Sequence, residues 1–432
     1  MVTQATTEAR AAPVELAPTS LDEAAAMMLQ LAHDKRVVTF AGGGTEPWPG
    51  GPGGGWRAQG QADEPGPERA GGSGGLASSA PPNSMVVLRT TRLDRIREHA
   101  PADQIVIAEA GLTLAALQHH LAAHRQRLAL DPPFPERATL GGIVAAGSFG
   151  PRRTRTGTVR DLIIGATRTR ADGAVARGGG KVVKNVAGFD LPRLLCGSQG
   201  TLGLVAEVAF RLHPLPERSE TVVVDAVDAA GAWSLVRAVR EAQLEPAAVA
   251  ALLQGERFQV AFRFEGFGPG VRDQVERFLG RVTFEGRRGE RLDGDGEAAL
   301  WARHDELRTA GDVRARATFL PAGGAAAMAA LRPLADALGG GAIVHYPTLG
   351  IAFVTGTLQD PTAAARALAG ARRAVAPGNG AVVLAAAPAP LRDQAGLFGV
   401  VPPALQVMRR LKAAFDPDGR LAPGRLPEGS AP

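Results

Sequence analysis

The chain has 432 residues, enough for two or three domains with real cores; 55 are glycine and 32 proline, and aromatics make up only 5%. Its 48 Lys and Arg against 43 Asp and Glu leave a net charge of +5, with acidic residues interleaved among the basic ones, a pattern that argues against a phosphate-tracking nucleic-acid binder. A single cysteine, Cys196, excludes an intrachain disulfide and any four-thiolate zinc or iron–sulfur site made by this chain alone.

The first 18 residues lack the basic and apolar regions of a signal peptide, and no apolar run reaches the ~20 residues of a membrane span. The expectation is a cytoplasmic protein that meets a membrane only through partners. Ser20 and Glu23 have capping-box spacing ahead of Ala24, Met27, Met28 and Leu31, which predicts a helix. The β-branched run 36–40 follows and leads into Gly42, Gly43, Gly44 and Thr45.

Residues 46–83 hold 11 Gly and 7 Pro with almost no aliphatics, so they read as a disordered insertion. Its Trp48 and Trp56 read as incidental to a solvated linker, with partner docking the minority reading. Order resumes at 85–88. A strand at 105–107 then precedes a helix from Thr113 with Leu114, Leu117 and Leu121 on one stripe. His120 and His124 have the spacing to share a metal, but helical geometry puts His124 over Leu117 on the core face, and no metal site is assigned.

After Pro216 strands and helices alternate. We read strand 220–225, helix 229–243, strands 249–253 and 258–264, and helix 270–280. After an uncertain stretch come strand 315–320, helix 324–338, strands 342–346 and 351–355, helix 361–375 and strand 381–386. The second half is β-α-β-β-α-β and the first nearly so, the split βαβ order of ferredoxin-like units. An amphipathic helix at 404–415 ends in the turn sequence Asp416-Pro417-Asp418-Gly419.

Glycine clusters recur before Pro216, and converging bare amides would make a cradle for a pyrophosphate. The single-loop templates fail: a dinucleotide fingerprint starting at Gly42 meets Pro47, and a Walker A ending at Lys181 meets Val175. The joint pattern is more specific. Gly42 to Thr45 after a strand, Ala138 to Gly142, Gly150 to Arg153, Gly157 to Asp161, Lys184 to Asp190, Gly197 to Gly203 and the closing stretch Phe415 to Gly424 occur in that order. Together they resemble the vanillyl-alcohol oxidase / p-cresol methylhydroxylase (PCMH) flavoprotein superfamily, and within it the FAD-binding E subunits of bacterial glycolate oxidases.

That resemblance implies an α+β fold: a PCMH-type FAD-binding domain of two subdomains at 1–217, a ferredoxin-like cap domain at 218–388, and a segment at 389–432 returning to the FAD domain. It implies that Gly42, Gly43, Gly44 and Thr45 wrap the pyrophosphate. Asp131, Pro132, Thr139, Leu140, Gly141 and Gly142 would run along the flavin and ribityl chain, Gly147, Gly150 and Gly157 would line the same groove, and Val205 would meet the adenine side. Read without the resemblance, each glycine is a turn and Thr139 a helix cap.

Asp190 is expected to cap the helix 191–196, Lys184 to pair with a carboxylate, and Phe189 stands where the family usually has tyrosine. Thr45 and Glu46 occupy the stretch where some members carry an FAD-linking histidine, so FAD is expected to be non-covalent. Catalytic members carry a histidine cluster in the second domain. Here only His304 and His345 lie there, read as surface or satisfied histidines, and no catalytic residue is assigned. The implied partners are a catalytic flavoprotein D subunit and an iron–sulfur F subunit that together oxidise glycolate to glyoxylate. The rivals are a stand-alone FAD dehydrogenase of another small 2-hydroxy acid or alcohol, and a structural subunit without catalysis.

Overall fold

The computed structural model describes residues 14–45, 85–181, 189–226, 228–399 and 402–426. The insertion 46–83, with Trp48 and Trp56, and the residues Lys184 and Asn185 lie outside the described residues.

The first helix, Leu21–His33, starts where the sequence places it, but the cap is divided. Ser20 Oγ accepts from Glu23 N (3.1 Å), while Glu23 turns back to Thr19 and accepts from both its amide and its hydroxyl (2.7 Å each), not from the amide of Ser20. Ala24, Met28 and Leu31 bury one face of this helix against a three-stranded parallel sheet of order Val14–Leu16, Met85–Arg89, Val37–Ala41. Leu421 from the far end of the chain completes that core: Ala422 N donates to Val38 O (2.7 Å) and Val38 N to Arg420 O (2.9 Å).

A five-stranded antiparallel sheet stands beside it, in the order Ile96–Ala100, Ile105–Glu109, Leu204–Arg211, Ile163–Thr169, Val175–Gly179. Helix Leu114–Ala122 packs on it through Leu114, Leu117 and Leu121, as the stripe predicts, and helix Leu140–Ala146 through Leu140, Ile143 and Val144. The first of these helices stops at Ala122, so His124 lies in the turn beyond it and is exposed rather than stacked over Leu117. Asp190 caps helix Leu191–Leu195, its Oδ1 accepting from Arg193 N (3.2 Å).

The third sheet has eight antiparallel strands in the order Gly289–Leu292, Arg218–Ala226, Arg257–Gly266, Ala248–Gln254, Ala342–Tyr346, Ile351–Gly356, Val313–Thr318, Ala381–Ala386. Each half is a complete β-α-β-β-α-β unit with spatial order 4-1-3-2, and the halves join through their second strands, Ala248–Gln254 against Ala342–Tyr346. The unread stretch supplies the missing pieces: strand Gly289–Leu292 closes the first unit, and helix Gly294–Thr309 covers the sheet face opposite the four repeat helices. That covered face also receives Phe149 from the N-terminal part of the chain, next to Val223, Ala250, Val344, Tyr346 and Trp301. Among the described residues no helix is long and apolar enough to cross a membrane.

Candidate functional site

The parallel sheet and the five-stranded sheet enclose a cleft. Its walls are the loop Gly42 to Thr45, helix Leu140–Ala146 with its cap Thr139, the segment Gln199 to Val205, and Ala422 to Arg425. Phe40, Met85 and Val87 form an apolar floor.

Close backbone approach builds the cleft. A Cβ on Gly42 would lie 2.1 Å from Thr139 Oγ1, and one on Gly43 only 1.7 Å from the carbonyl oxygen of Arg137. Glycine is therefore required by the protein's own packing before any ligand is considered. Arg137 Nη2 donates to Gly43 O (3.2 Å), and Thr139 Oγ1 accepts from Gly142 N (3.2 Å), so loop and helix start are tied together. Arg425 is the only charged side chain on the walls among the described residues. It donates through Nη1 to Gln199 O (2.9 Å), and burial lowers its pKa to about 10, which leaves it charged at neutral pH.

The last wall is clamped from behind. Buried Lys412 donates through Nζ to Thr201 O (3.0 Å) and Leu421 O (2.6 Å) and pairs with Asp416, whose carboxylate also accepts from the amides of Arg420 (3.1 Å) and Leu421 (2.7 Å). Burial lowers the Lys412 pKa and the pair with Asp416 opposes that shift. Arg420 reaches Leu31 O (3.2 Å) and Ala171 O (2.8 Å), joining the C-terminal segment to both N-terminal sheets.

Of the residues singled out from the sequence, Gly42, Gly43, Gly44, Thr45, Thr139, Gly141, Gly142 and Val205 meet in this cleft. Asp131, Pro132, Leu140, Gly147, Gly150 and Gly157 are not among its lining residues. Leu140 is fully buried on the helix face opposite the cleft. Gly147 ends the same helix in a left-handed conformation, φ 62°. Asp131 and Gly150 pack on each other, a Cβ on Gly150 lying 2.0 Å from Asp131 O. Gln199, Ala145, Ala146 and Arg425 were missed, although Gln199 sits inside the Gly197 to Gly203 motif, where the signal was available.

Past Gly147 the chain enters a second buried assembly at the eight-stranded sheet. Arg152 donates its amide to Asp131 Oδ2 (2.9 Å) and its guanidinium to Glu265 Oε1 (2.7 Å), while Arg127 holds Glu265 Oε2 (2.7 Å). Burial pushes the Asp131 carboxyl up, against the pull of Arg152. Burial alone would also raise Glu265, but Arg152 and Arg127 bring it down to about 2. Next to this chain of charges, His304 bonds Tyr346 Oη through Nε2 (2.9 Å) and Asp305 through Nδ1 (2.9 Å). Arg308 lies over the Phe353 ring (4.3 Å) and faces Phe149 (5.6 Å), and its Nη1 has no hydrogen-bond partner among the described residues.

His304 is thus a satisfied core histidine, and burial lowers its pKa while Asp305 opposes. His345 is neither at the surface nor satisfied: it is 2% exposed, both ring nitrogens lack a partner among the described residues, and burial lowers its pKa to about 4. Neutral imidazole tolerates the strand position that packs it under Gly324.

Residues 61–179 match the family described as FAD binding domain, and residues 400–426 match the C-terminal domain of FAD linked oxidases. The first match begins inside the Gly/Pro-rich segment. The fold aligns with alkyldihydroxyacetonephosphate synthase at a TM-score of 0.67 and 16% identity, covering 95% of this chain and 77% of that one. The chain has the mixed α and β PCMH-type FAD-binding fold, and its cofactor is FAD. The cleft suits that cofactor, because Gly42, Gly43, Gly44, Gly141, Gly142, Gly200 and Gly203 bring side-chain-free backbone to its walls beside the charged Arg425.

Among curated proteins, the chain is 37% identical over 146 residues to glycolate oxidase subunit GlcE of Escherichia coli, covering 32% of this chain and 42% of that one. It is 35% identical over 147 residues to D-lactate dehydrogenase of Archaeoglobus fulgidus, covering 34% and 32%. It is 42% identical over 102 residues to glycolate oxidase subunit GlcD of Bacillus subtilis, covering 23% and 22%. The matched stretches span less than half of each of these relatives.

Proposed function

We propose that this chain is the E-type, FAD-binding subunit of a glycolate-oxidising complex. It would act beside a catalytic D-type flavoprotein and an iron–sulfur F-type subunit, and the complex would convert glycolate to glyoxylate. The observation that carries this reading is the cleft, in which Gly42 to Thr45, Thr139 to Gly142 and Ala422 to Arg425 converge within a chain similar to GlcE. In this reading residues 1–217 and 389–432 build the FAD unit and 218–388 the cap.

Gly42, Gly43, Gly44 and Thr45 would hold the pyrophosphate by their amides, Arg425 would supply the nearby positive charge, and Val205 would meet the adenine side. Thr139, Gly141 and Gly142 would border the ribityl chain. FAD would supply two-electron oxidation of a carbon bearing a hydroxyl. With Thr45 in the loop and no histidine there, attachment would be non-covalent. The lone Cys196, its thiol pushed up to about 12 by burial, offers no cluster ligand, so electrons would leave through a partner.

Where Phe149 meets the eight-stranded sheet, it packs with Trp301, Arg308 and Tyr346, all four 8% exposed or less, and a junction filled in this way fits an accessory role better than a substrate pocket. A second reading, the stand-alone dehydrogenase, draws on the same cluster. Arg308 is a cation without a full set of partners, and His304 with Tyr346 is a proton-handling pair beside it.

One assay separates the two. The purified chain is expected to release its flavin into the supernatant on acid precipitation and to reduce a dye with glycolate or D-lactate negligibly, activity appearing on co-expression with D- and F-type chains. Rapid turnover by this chain alone, lost in His304→Gln and Arg308→Met with flavin content kept, would overturn the subunit reading and promote the dehydrogenase.

A further inference from the structure

Three of the eight histidines gather at one edge of the five-stranded sheet, and none of them lines the cleft. His99 comes from the edge strand Ile96–Ala100, His120 from helix Leu114–Ala122, and His124 from the turn after it. The His99 ring centroid lies 5.2 Å from that of His120 and 4.8 Å from that of His124. Helical spacing alone offered two histidines; the strand supplies the third.

The protonation pattern of His99 is fixed by its neighbours. Gln126 Nε2 donates to Pro101 O (2.7 Å), which orients the side-chain amide and leaves Gln126 Oε1 to accept from His99 Nε2 (3.0 Å). The His99 proton therefore sits on Nε2, and the Nδ1 lone pair points at His120 Nε2, 3.2 Å away. An imidazole whose far N–H is held by a carbonyl-type acceptor is the arrangement that orients metal-ligating histidines. The 3.2 Å separation is close to the edge of a tetrahedral site, about 3.3 Å for metal–nitrogen bonds of about 2.05 Å, so a tilt of the two rings off the line of their hydrogen bond, with the His120 proton moved to Nδ1, would aim both lone pairs at one ion. In the metal-free chain the same edge is a hydrogen bond from His120 to His99. Among the described residues no three His, Cys, Asp or Glu side chains already converge as a complete ligand set. What is built is a two-nitrogen edge with an exposed third imidazole beside it.

We propose that His99 and His120 bind a first-row transition-metal ion of the zinc type, with His124 turning in from the surface as third ligand. All-nitrogen donors without a carboxylate suit zinc, copper or nickel rather than magnesium or calcium. The inference is independent of the flavin reading, since no residue is shared.

The test is calorimetric titration of Zn2+ into the untagged, metal-free full-length chain, with flavin content recorded for every variant. One ion per chain is expected. His99→Asn and His120→Ala should each weaken binding by at least about tenfold, and Gln126→Leu by about 10- to 100-fold through loss of the orienting acceptor. His119→Ala, an exposed neighbour outside the cluster, should bind as the wild type does. Absence of Zn2+ binding, or binding undiminished in His99→Asn and His120→Ala chains that retain wild-type flavin, would overturn the site.

Discussion

Gly43→Val is expected to lower FAD affinity by at least about a hundredfold, some 2.8 kcal/mol, the largest effect of any single cleft substitution. Its origin is the position a Cβ would take at residue 43, 1.7 Å from the carbonyl oxygen of Arg137, a clash with backbone that no rotamer change relieves. The loop must therefore move off the segment 137–139, and the amides of Gly42 and Gly44 move with it. Titration of apoprotein with FAD, followed by flavin fluorescence, measures the effect. Thr45→Ala, at the end of the same loop, keeps the backbone path and should bind FAD within a few-fold of wild type. Wild-type affinity in Gly43→Val would remove this loop from the cofactor site.

The second large effect belongs to Glu265. Its side chain is 3% exposed and bonded by Arg152 and Arg127, with Arg263 a further 3.9 Å contact. Glu265→Ala leaves these arginines facing one another without their shared anion, and unfolding free energy should fall by about 3–5 kcal/mol. The pH dependence has a definite sign. The folded carboxyl is held at about 2 against an ordinary 4.5, so its contribution is complete above pH 4.5 and is lost as pH falls towards 2. That contribution is of order 3 kcal/mol. Denaturant titrations from pH 7 to pH 2 should show wild type losing this increment and Glu265→Gln showing a flatter profile. Replacing Glu265, Arg152 and Arg127 together by apolar residues should recover much of the loss, which a purely steric role for Glu265 would not predict.

The glycine loops were legible because backbone-to-backbone contact leaves glycine as the one usable residue, and chain order then restricts which fold brings those loops together. The repeat units of the eight-stranded sheet were legible for a different reason: their strands and helices keep clean apolar periods. Helix Gly294–Thr309 was not, because the face it buries carries Glu297, His304 and Arg308 beside Trp301 and Leu307, so no apolar stripe announces it. Strand Gly289–Leu292 escaped as a four-residue edge rich in charge. Asp131, Gly150 and Gly157, expected along the cofactor groove, lie outside the lining of the cleft and make close contacts of their own: Gly150 admits Asp131 from an earlier segment, and Gly157 sits where a Cβ would strike Asp161 Oδ2 at 2.6 Å. Pairing of the two repeats through Ala248–Gln254 and Ala342–Tyr346 could not be read at all, since nothing local in a central strand names its partner.

The clamp made by Lys412, Asp416 and Arg420 bears on the order of events during synthesis. Residues 405–425 supply one wall of the cleft and a partner for Val38, yet they leave the ribosome after the whole eight-stranded sheet has emerged. The N-terminal sheets must therefore wait, with an open flank, through translation of the whole stretch 212–404, while the repeat units within it can fold on emergence from contacts close in sequence. Cofactor capture becomes a late event, taken up by a nascent chain whose middle is already structured. Ribosome-bound chains stalled with residue 404 just clear of the exit tunnel would carry a protease-resistant central sheet and no flavin.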